Sequence, residues 1–274
     1  MPSVDEGTVC ILGAGGPVGA AIYPVLRQRY TLRLADIVPV EEIVARPDSP
    51  PWPKWRSAPE PPHEWRLCDV TEYRQVQEAL QGCDAAINLT VNRTDPTPAF
   101  RINVVGAYNV MKAAAEHKLR RVIHTGPWSR VNGYEGDYRY EFRIPDDAPY
   151  RAGTMLYPHT KGISLEVVNA FAEQAGLDVM TFWLSRLRPA RRYDGRDNDV
   201  MISFSVAWED LGDAFLCGLR APELPRPNEV FFICSRLPMG KYAPDKAERL
   251  LGWTPKHNFE QFYDRKVGCP GPRS

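Results

Sequence analysis

The chain has 274 residues, of which 43% are apolar and 25% charged, and its 34 basic side chains (lysine plus arginine) balance 34 acidic ones to a formal net charge of zero. That balance gives no electrostatic footprint for nucleic acid or an anionic membrane. The apolar content excludes disorder throughout, and no apolar run reaches the roughly 20 residues of a membrane span.

The N-terminus has no basic stretch, and Gly13, Gly15 and Gly16 interrupt its apolar run, so it does not read as a signal peptide. Six scattered cysteines without a C-x-x-C pair read as reduced, mostly buried thiols of a cytoplasmic protein. The five histidines lack metal-ligand spacing, and no metal is expected.

Val9-Cys10-Ile11-Leu12 is a short apolar run that reads as a buried parallel strand. Gly16 to Arg29 predicts a helix with Val18, Ile22, Val25 and Leu26 on one face. Thr31 to Asp36 and Trp65 to Cys68 predict the second and third strands, and a helix follows from about Glu72 to Leu80. Between those strands, Arg46 to Pro62 holds seven prolines in seventeen residues, which excludes helix or central strand and reads as a surface insertion. Ala85 to Leu89 predicts a fourth strand, Thr97 to His117 a helix, and Arg121 to His124 a fifth strand. A helix from Met155 to Ala175 and a strand from Val179 to Leu184 close the regular part.

Beyond Leu184 the alternation weakens. Arg186, Arg188, Arg191, Arg192 and Arg196 crowd one segment. A short strand (Ile202 to Val206), a helix (Asp210 to Leu219), a strand (Val230 to Cys234) and a helix (Pro244 to Leu251) follow. Repeated strand–helix units imply an α/β fold with a parallel sheet covered on both faces. The division expected is a nucleotide-binding unit over residues 1–184, interrupted by the insertion at 46–62, and a small, partly interleaved substrate-binding cap over 185–274.

Gly13-Ala-Gly15-Gly16-Pro-Val-Gly19 joins the first strand to the first helix, the context a dinucleotide turn requires. Gly13 permits the tight turn, Gly15 and Gly16 admit a pyrophosphate close to backbone N–H groups, and Gly19 lets the helix lie near the sheet. Asp36 ends the second strand, where a carboxylate accepts from ribose hydroxyls and repels a 2′-phosphate, so the expected cofactor is NAD and the sheet Rossmann-like and doubly wound. Asp69 follows the third strand and reads equally as an adenine contact or a helix cap.

Tyr-x-x-x-Lys occurs three times, at Tyr108/Lys112, Tyr157/Lys161 and Tyr242/Lys246. Only Tyr157/Lys161 opens a long helix after the fifth strand, where a side chain can face a nicotinamide. At i and i+4 both side chains share a face. The ammonium is expected to lower the phenol's pKa, and the tyrosinate to take the proton of a substrate alcohol as hydride leaves its carbon.

Together these residues resemble the extended short-chain dehydrogenase/reductase family, the group of nucleotide-sugar epimerases and dehydratases. The resemblance continues through Asn103-Val-Val-Gly106-Ala-Tyr-Asn109, Leu187-Arg188-Pro189, Trp208-Glu-Asp210 and Leu251-Gly252-Trp253-x-Pro255. Leu32-Arg-Leu-Ala-Asp36-Ile and Gly82-Cys83-Asp84 are most similar to the uronate dehydrogenase branch. The resemblance implies Tyr157 as acid/base and Lys161 as its orienting partner. NAD would be held by Gly13, Gly15, Gly16, Pro17, Val18, Gly19, Asp36, Ile37, Asp69, Val70, Leu89, Asn103, Tyr157 and Lys161.

One departure stands out. The family's hydroxyl pair after the fifth strand falls on Gly126 or Pro127, leaving Thr125 or Ser129 to polarise the substrate oxygen. Trp128 and Ser129 replace the uronate branch's Asn-His contacts, and Arg188 or Arg192 could grip a carboxylate. The expected activity is oxidation of a sugar-like or polyol alcohol, with uronates nearest. The alternatives are an epimerase or dehydratase with transient NAD reduction and a non-catalytic NAD-binding sensor. The helices at 97–117 and 155–175 are those the family pairs between subunits, implying a homodimer or larger homo-oligomer.

Overall fold

A computed structural model describes residues 3–48, 52–127, 143–146, 155–191, 204–237 and 240–260. Its centre is a seven-stranded sheet. In chain order the strands are β1 (Thr8–Leu12), β2 (Thr31–Asp36), β3 (Glu64–Leu67), β4 (Ala85–Asn88), β5 (Arg121–Pro127), β6 (Val179–Leu184) and β9 (Asn228–Phe232). The spatial order is β3-β2-β1-β4-β5-β6-β9, and every pairing is parallel. Chain order reverses between β1 and β4, and that switch point opens the crevice at the strands' C-terminal ends where such sheets take ligands. Two short strands, β7 (Arg186–Arg188) and β8 (Ser205–Ala207), pair separately.

The helices are α1 (Pro17–Leu26), α2 (Val40–Ala45), α3 (Tyr73–Leu80), α4 (Pro96–Phe100), α5 (Gly106–Glu116), α6 (Leu156–Ala175), α7 (Trp208–Arg220) and α8 (Asp245–Leu251). α1 ends earlier than its apolar pattern predicts, because Pro24 supplies no N–H to Ala20 and the following residues turn. The single helix expected over 97–117 is three pieces: α4, a π-helical turn over Arg101–Val105, and α5. The wide turn carries Asn103 into the interior, where it is 1% exposed.

The proline-rich segment is more than a surface insertion. Trp55 is buried, packs on Tyr23 and Trp65, and donates from Nε1 to the Ala14 carbonyl in the glycine turn at 2.9 Å. Proline content forbids regular structure but does not forbid burial of the aromatic side chains between the prolines.

C-terminal elements join the main layers. β9 extends the sheet beyond β6, and α7 lies along α1, with Gly212 close enough that a Cβ there would meet Val25. Arg121 ties this arrangement together. Its guanidinium is fully buried, pairs with both oxygens of Asp178 (2.8 and 3.0 Å), and donates to the carbonyls of Gly218, Leu219, Ala221 and Pro222 at the end of α7. Removing one partner of such a pair strands a buried charge. Arg121→Met is expected to cost about 3–5 kcal/mol, read from urea unfolding; a loss below about 1 kcal/mol would mean the clamp is dispensable.

Candidate active site

Gly13 sits at φ +75°, a conformation L-residues avoid, and a Cβ there would also meet the backbone of Thr90. Gly15 has a further reason to be glycine: the space a Cβ would take is filled by Ile43 and the Asp36 carboxylate. Gly16 is open: a Cβ there would meet only the Gly13 carbonyl, at 3.7 Å. It precedes Pro17 and Val18 at the start of α1, which no side chain caps. The first turn therefore keeps backbone donors for an anion. Gly19 lies against the Ala14 carbonyl where the helix crosses the turn.

The Asp36 carboxylate accepts from the N–H groups of Gly15 (2.8 Å) and Val38 (3.1 Å), and Ile37 beside it is exposed. Asp69 accepts from Thr71 N–H at 2.9 Å, in a local turn; the residue that precedes α3 as its cap is Glu72. Val70 is buried against Gly106. An open helix N-terminus beside an acidic residue at the end of β2 fits a pyrophosphate with a ribose diol, the two polar parts of NAD's adenosine half.

Tyr157 and Lys161 open α6 and line a cleft at the ends of β4, β5 and β6. Thr125 and Gly126 lie in the same cleft, and Val18, Leu89, Leu184 and Leu187 form its apolar walls. Lys161 is 5% exposed and donates to the carbonyls of Thr90 (3.0 Å) and Thr125 (2.9 Å). Burial, with Arg93 nearby, draws its pKa down to about 7. Tyr157 departs from expectation. Burial pushes its phenol up, and the cation that draws it partly back is Arg93 rather than Lys161. The Arg93 guanidinium lies over the Tyr157 ring, 5.6 Å from its centroid. The i, i+4 spacing holds, but two backbone carbonyls have claimed the ammonium.

Thr125 is buried, and its Oγ1 donates to the Asn88 carbonyl at 2.8 Å, leaving acceptor capacity at the cleft. Asn103 does not reach the cleft. Its Nδ2 donates to the Asn92 carbonyl and to Thr160 Oγ1, both at 2.8 Å, and its Oδ1 accepts from Asn92 N–H. It thereby locks the loop after β4 to the helix turn carrying Tyr157 and Lys161. Arg188 is buried, and Leu187 rather than Arg188 faces the cleft. Trp128, Ser129 and Arg192 lie outside the described residues.

Beneath the cleft runs a polar network absent from the sequence reading. Burial holds the His124 imidazole neutral. Nδ1 accepts from Asn88 Nδ2 and Nε2 donates to Ser164 Oγ, both at 3.3 Å, and Ser164 donates to the Lys161 carbonyl at 2.8 Å. Arg93 was missed too. Its only signal in the sequence is position, in a loop leaving the C-terminal end of a parallel strand.

The sequence profile of the NAD dependent epimerase/dehydratase family matches residues 9–233. Cinnamoyl-CoA reductase 1 of Petunia hybrida is 33% identical over 129 residues, which is 46% of this chain but only 36% of that protein. NAD-dependent glucose-6-phosphate dehydrogenase of Haloferax volcanii is 24% identical and aligns over 93% of this chain and 95% of its own. Uronate dehydrogenase of Pseudomonas putida is 25% identical over 99% and 92%. Two solved structures share the fold. Glucuronic acid dehydrogenase from Chromohalobacter salexigens has a TM-score of 0.76 at 22% identity, covering 98% of this chain and 91% of that one. Uronate dehydrogenase from Agrobacterium tumefaciens complexed with NAD has a TM-score of 0.74 at 21% identity, covering 98% and 92%.

The lysine gives a test of the site's electrostatics. Its ordinary pKa of 10.5 falls to about 7 in the folded chain. Across that window the folded state binds fewer protons than the unfolded chain, so stability rises with pH. Urea unfolding of the cofactor-free protein at pH 7 and about pH 9.5 should show a larger gain for the wild type than for Lys161→Met. Equal gains would place the ammonium in an ordinary environment.

Proposed function

This chain belongs to the NAD dependent epimerase/dehydratase family, and we propose that it is a dehydrogenase that oxidises the alcohol of a sugar-like substrate, a uronate or related sugar acid being the nearest class. The observation that carries this reading is the shared cleft of Tyr157, Lys161 and Thr125 beside the open glycine turn. Long relatives acting on glucose 6-phosphate and on uronates support it.

Gly13, Gly16 and the start of α1 would hold the pyrophosphate, Asp36 the adenosine ribose, and Ile37, Asp69 and Val70 the adenine side. NAD, when bound, supplies the hydride acceptor. Tyr157 takes the proton of the substrate hydroxyl at its phenolic oxygen, with Arg93 favouring the phenolate. Lys161 spends two N–H groups on Thr90 and Thr125 and keeps the third for a ligand in the cleft. Thr125 takes the place of the family's hydroxyl near the substrate oxygen, with Ser129 as the other candidate. The segment over 185–274 supplies the substrate side of the cleft through Leu187. The apolar walls exclude water, which strengthens each of these interactions. A second reading, an epimerase or dehydratase that returns the hydride within one turnover, is favoured only by the breadth of the family.

Subunit pairing belongs to the same reading. Phe100, Val105, Tyr108 and Ile163 are large apolar side chains left 43–46% exposed on the α4–α5 and α6 layer. A second copy packing there would form a homodimer across α5 and α6.

Tyr157→Phe should bind NAD within about twofold of the wild type yet lose ~10²–10⁴ in kcat, the usual worth of a general base. Unchanged turnover would remove the phenol from the mechanism. Ile163→Glu is expected to halve the mass measured by light scattering; an unaltered mass would exclude this face as the subunit contact.

A further inference from the structure

We propose that Arg93 is the anion-binding residue of the cleft, holding the carboxylate or phosphate of a sugar acid or sugar phosphate beside Tyr157. The inference rests on the dehydrogenase reading and names the substrate class of that site. Among the described residues, the cleft is lined by two basic side chains, Arg93 and Lys161, and by no acidic one. Lys161 is buried and committed to two backbone carbonyls. Arg93 is exposed, on the loop that leaves β4. No ion pair engages it among the described residues, and its near neighbour Asp95 is occupied in capping α4 through Thr97 N–H.

What holds Arg93 is the tyrosine itself. The guanidinium lies over the Tyr157 ring, a contact that itself requires none of the five N–H donors. A planar fork of N–H groups matches the two oxygens of a carboxylate or phosphate. Leu184 and Leu187 across the cleft reduce the solvent screening of that contact. A substrate whose carbinol meets the phenol thus places an anionic group on the same sugar within reach of the fork, while a neutral sugar leaves the fork unpaired.

The test compares wild type, Arg93→Gln and Arg93→Lys as full chains. D-glucuronate, D-glucose 6-phosphate and D-glucose are titrated calorimetrically into protein loaded with NADH, NAD binding is measured separately, and kcat and KM are determined where turnover occurs. The wild type is expected to bind glucuronate or glucose 6-phosphate at least ~10-fold more tightly than glucose, as a charged hydrogen-bonded pair warrants. The preferred anion identifies carboxylate or phosphate as the group recognised. Arg93→Gln should lose about that factor for the preferred anion while binding NAD within about twofold, and Arg93→Lys should fall between, keeping the charge without the fork.

Equal wild-type affinity for glucose and both anions would overturn the proposal. So would NAD affinity falling in step with anion affinity, which would assign the guanidinium to the cofactor's phosphates. Unchanged anion binding with a lower kcat and a shifted pH profile would assign it to the phenol instead, and would likewise overturn it. Loss of anion binding in Arg93→Gln without NAD reduction by the wild type would uphold the inference and sink the dehydrogenase reading.

Discussion

A lysine that reaches from a helix to the ends of two parallel strands must shed its proton or find acceptors, and Lys161 finds the carbonyls of Thr90 and Thr125. The pairing of β4 with β5 ends at Asn88 and His124, and both carbonyls lie just beyond it. The ammonium thus fixes the start of α6 against β4 and β5. Around it, Asn103 locks Thr160 to the loop after β4, and the Asn88–His124–Ser164 chain reaches the Lys161 carbonyl from below. Tyr157, one turn earlier, inherits its place from these contacts.

The same commitment changes the division of charge in the cleft. An ammonium occupied by backbone acceptors, with its pKa near 7, is a weak source of field for a neighbouring phenol. Arg93 takes up that part from outside, over the ring face of Tyr157. The cleft therefore has a buried cation that positions and an exposed one that can meet a ligand. Both act between apolar walls, where charge interactions are less screened than in water.

Most of the scaffold was legible in the sequence, because its signals are local. Buried parallel strands read as short apolar runs such as Val9 to Leu12, and Gly13 to Gly19 joins one of them to a helix. The misses share a cause in tertiary contact. Nothing in Pro47 to Pro62 shows that Trp55 will seek the Ala14 carbonyl, and nothing in Phe100 to Gly106 marks a π turn, whose purpose is visible only in what Asn103 bridges. The site was half legible. Tyr157 and Lys161 follow from spacing and position, whereas Arg93 carries no motif, and the packing of Asp36 and Ile43 against Gly15 shows only in the fold.

On the reading proposed, this cleft moves a hydride from substrate to cofactor and does not return it. The most direct test incubates the purified protein with NAD and a panel of hexuronates, sugar phosphates, aldoses and polyols, and follows both nicotinamide absorbance and substrate loss. Net NADH is expected, one equivalent for each substrate molecule oxidised, from a sugar-acid or sugar-phosphate substrate. Substrate converted without net NADH, or NAD bound with no turnover across the panel, would contradict it.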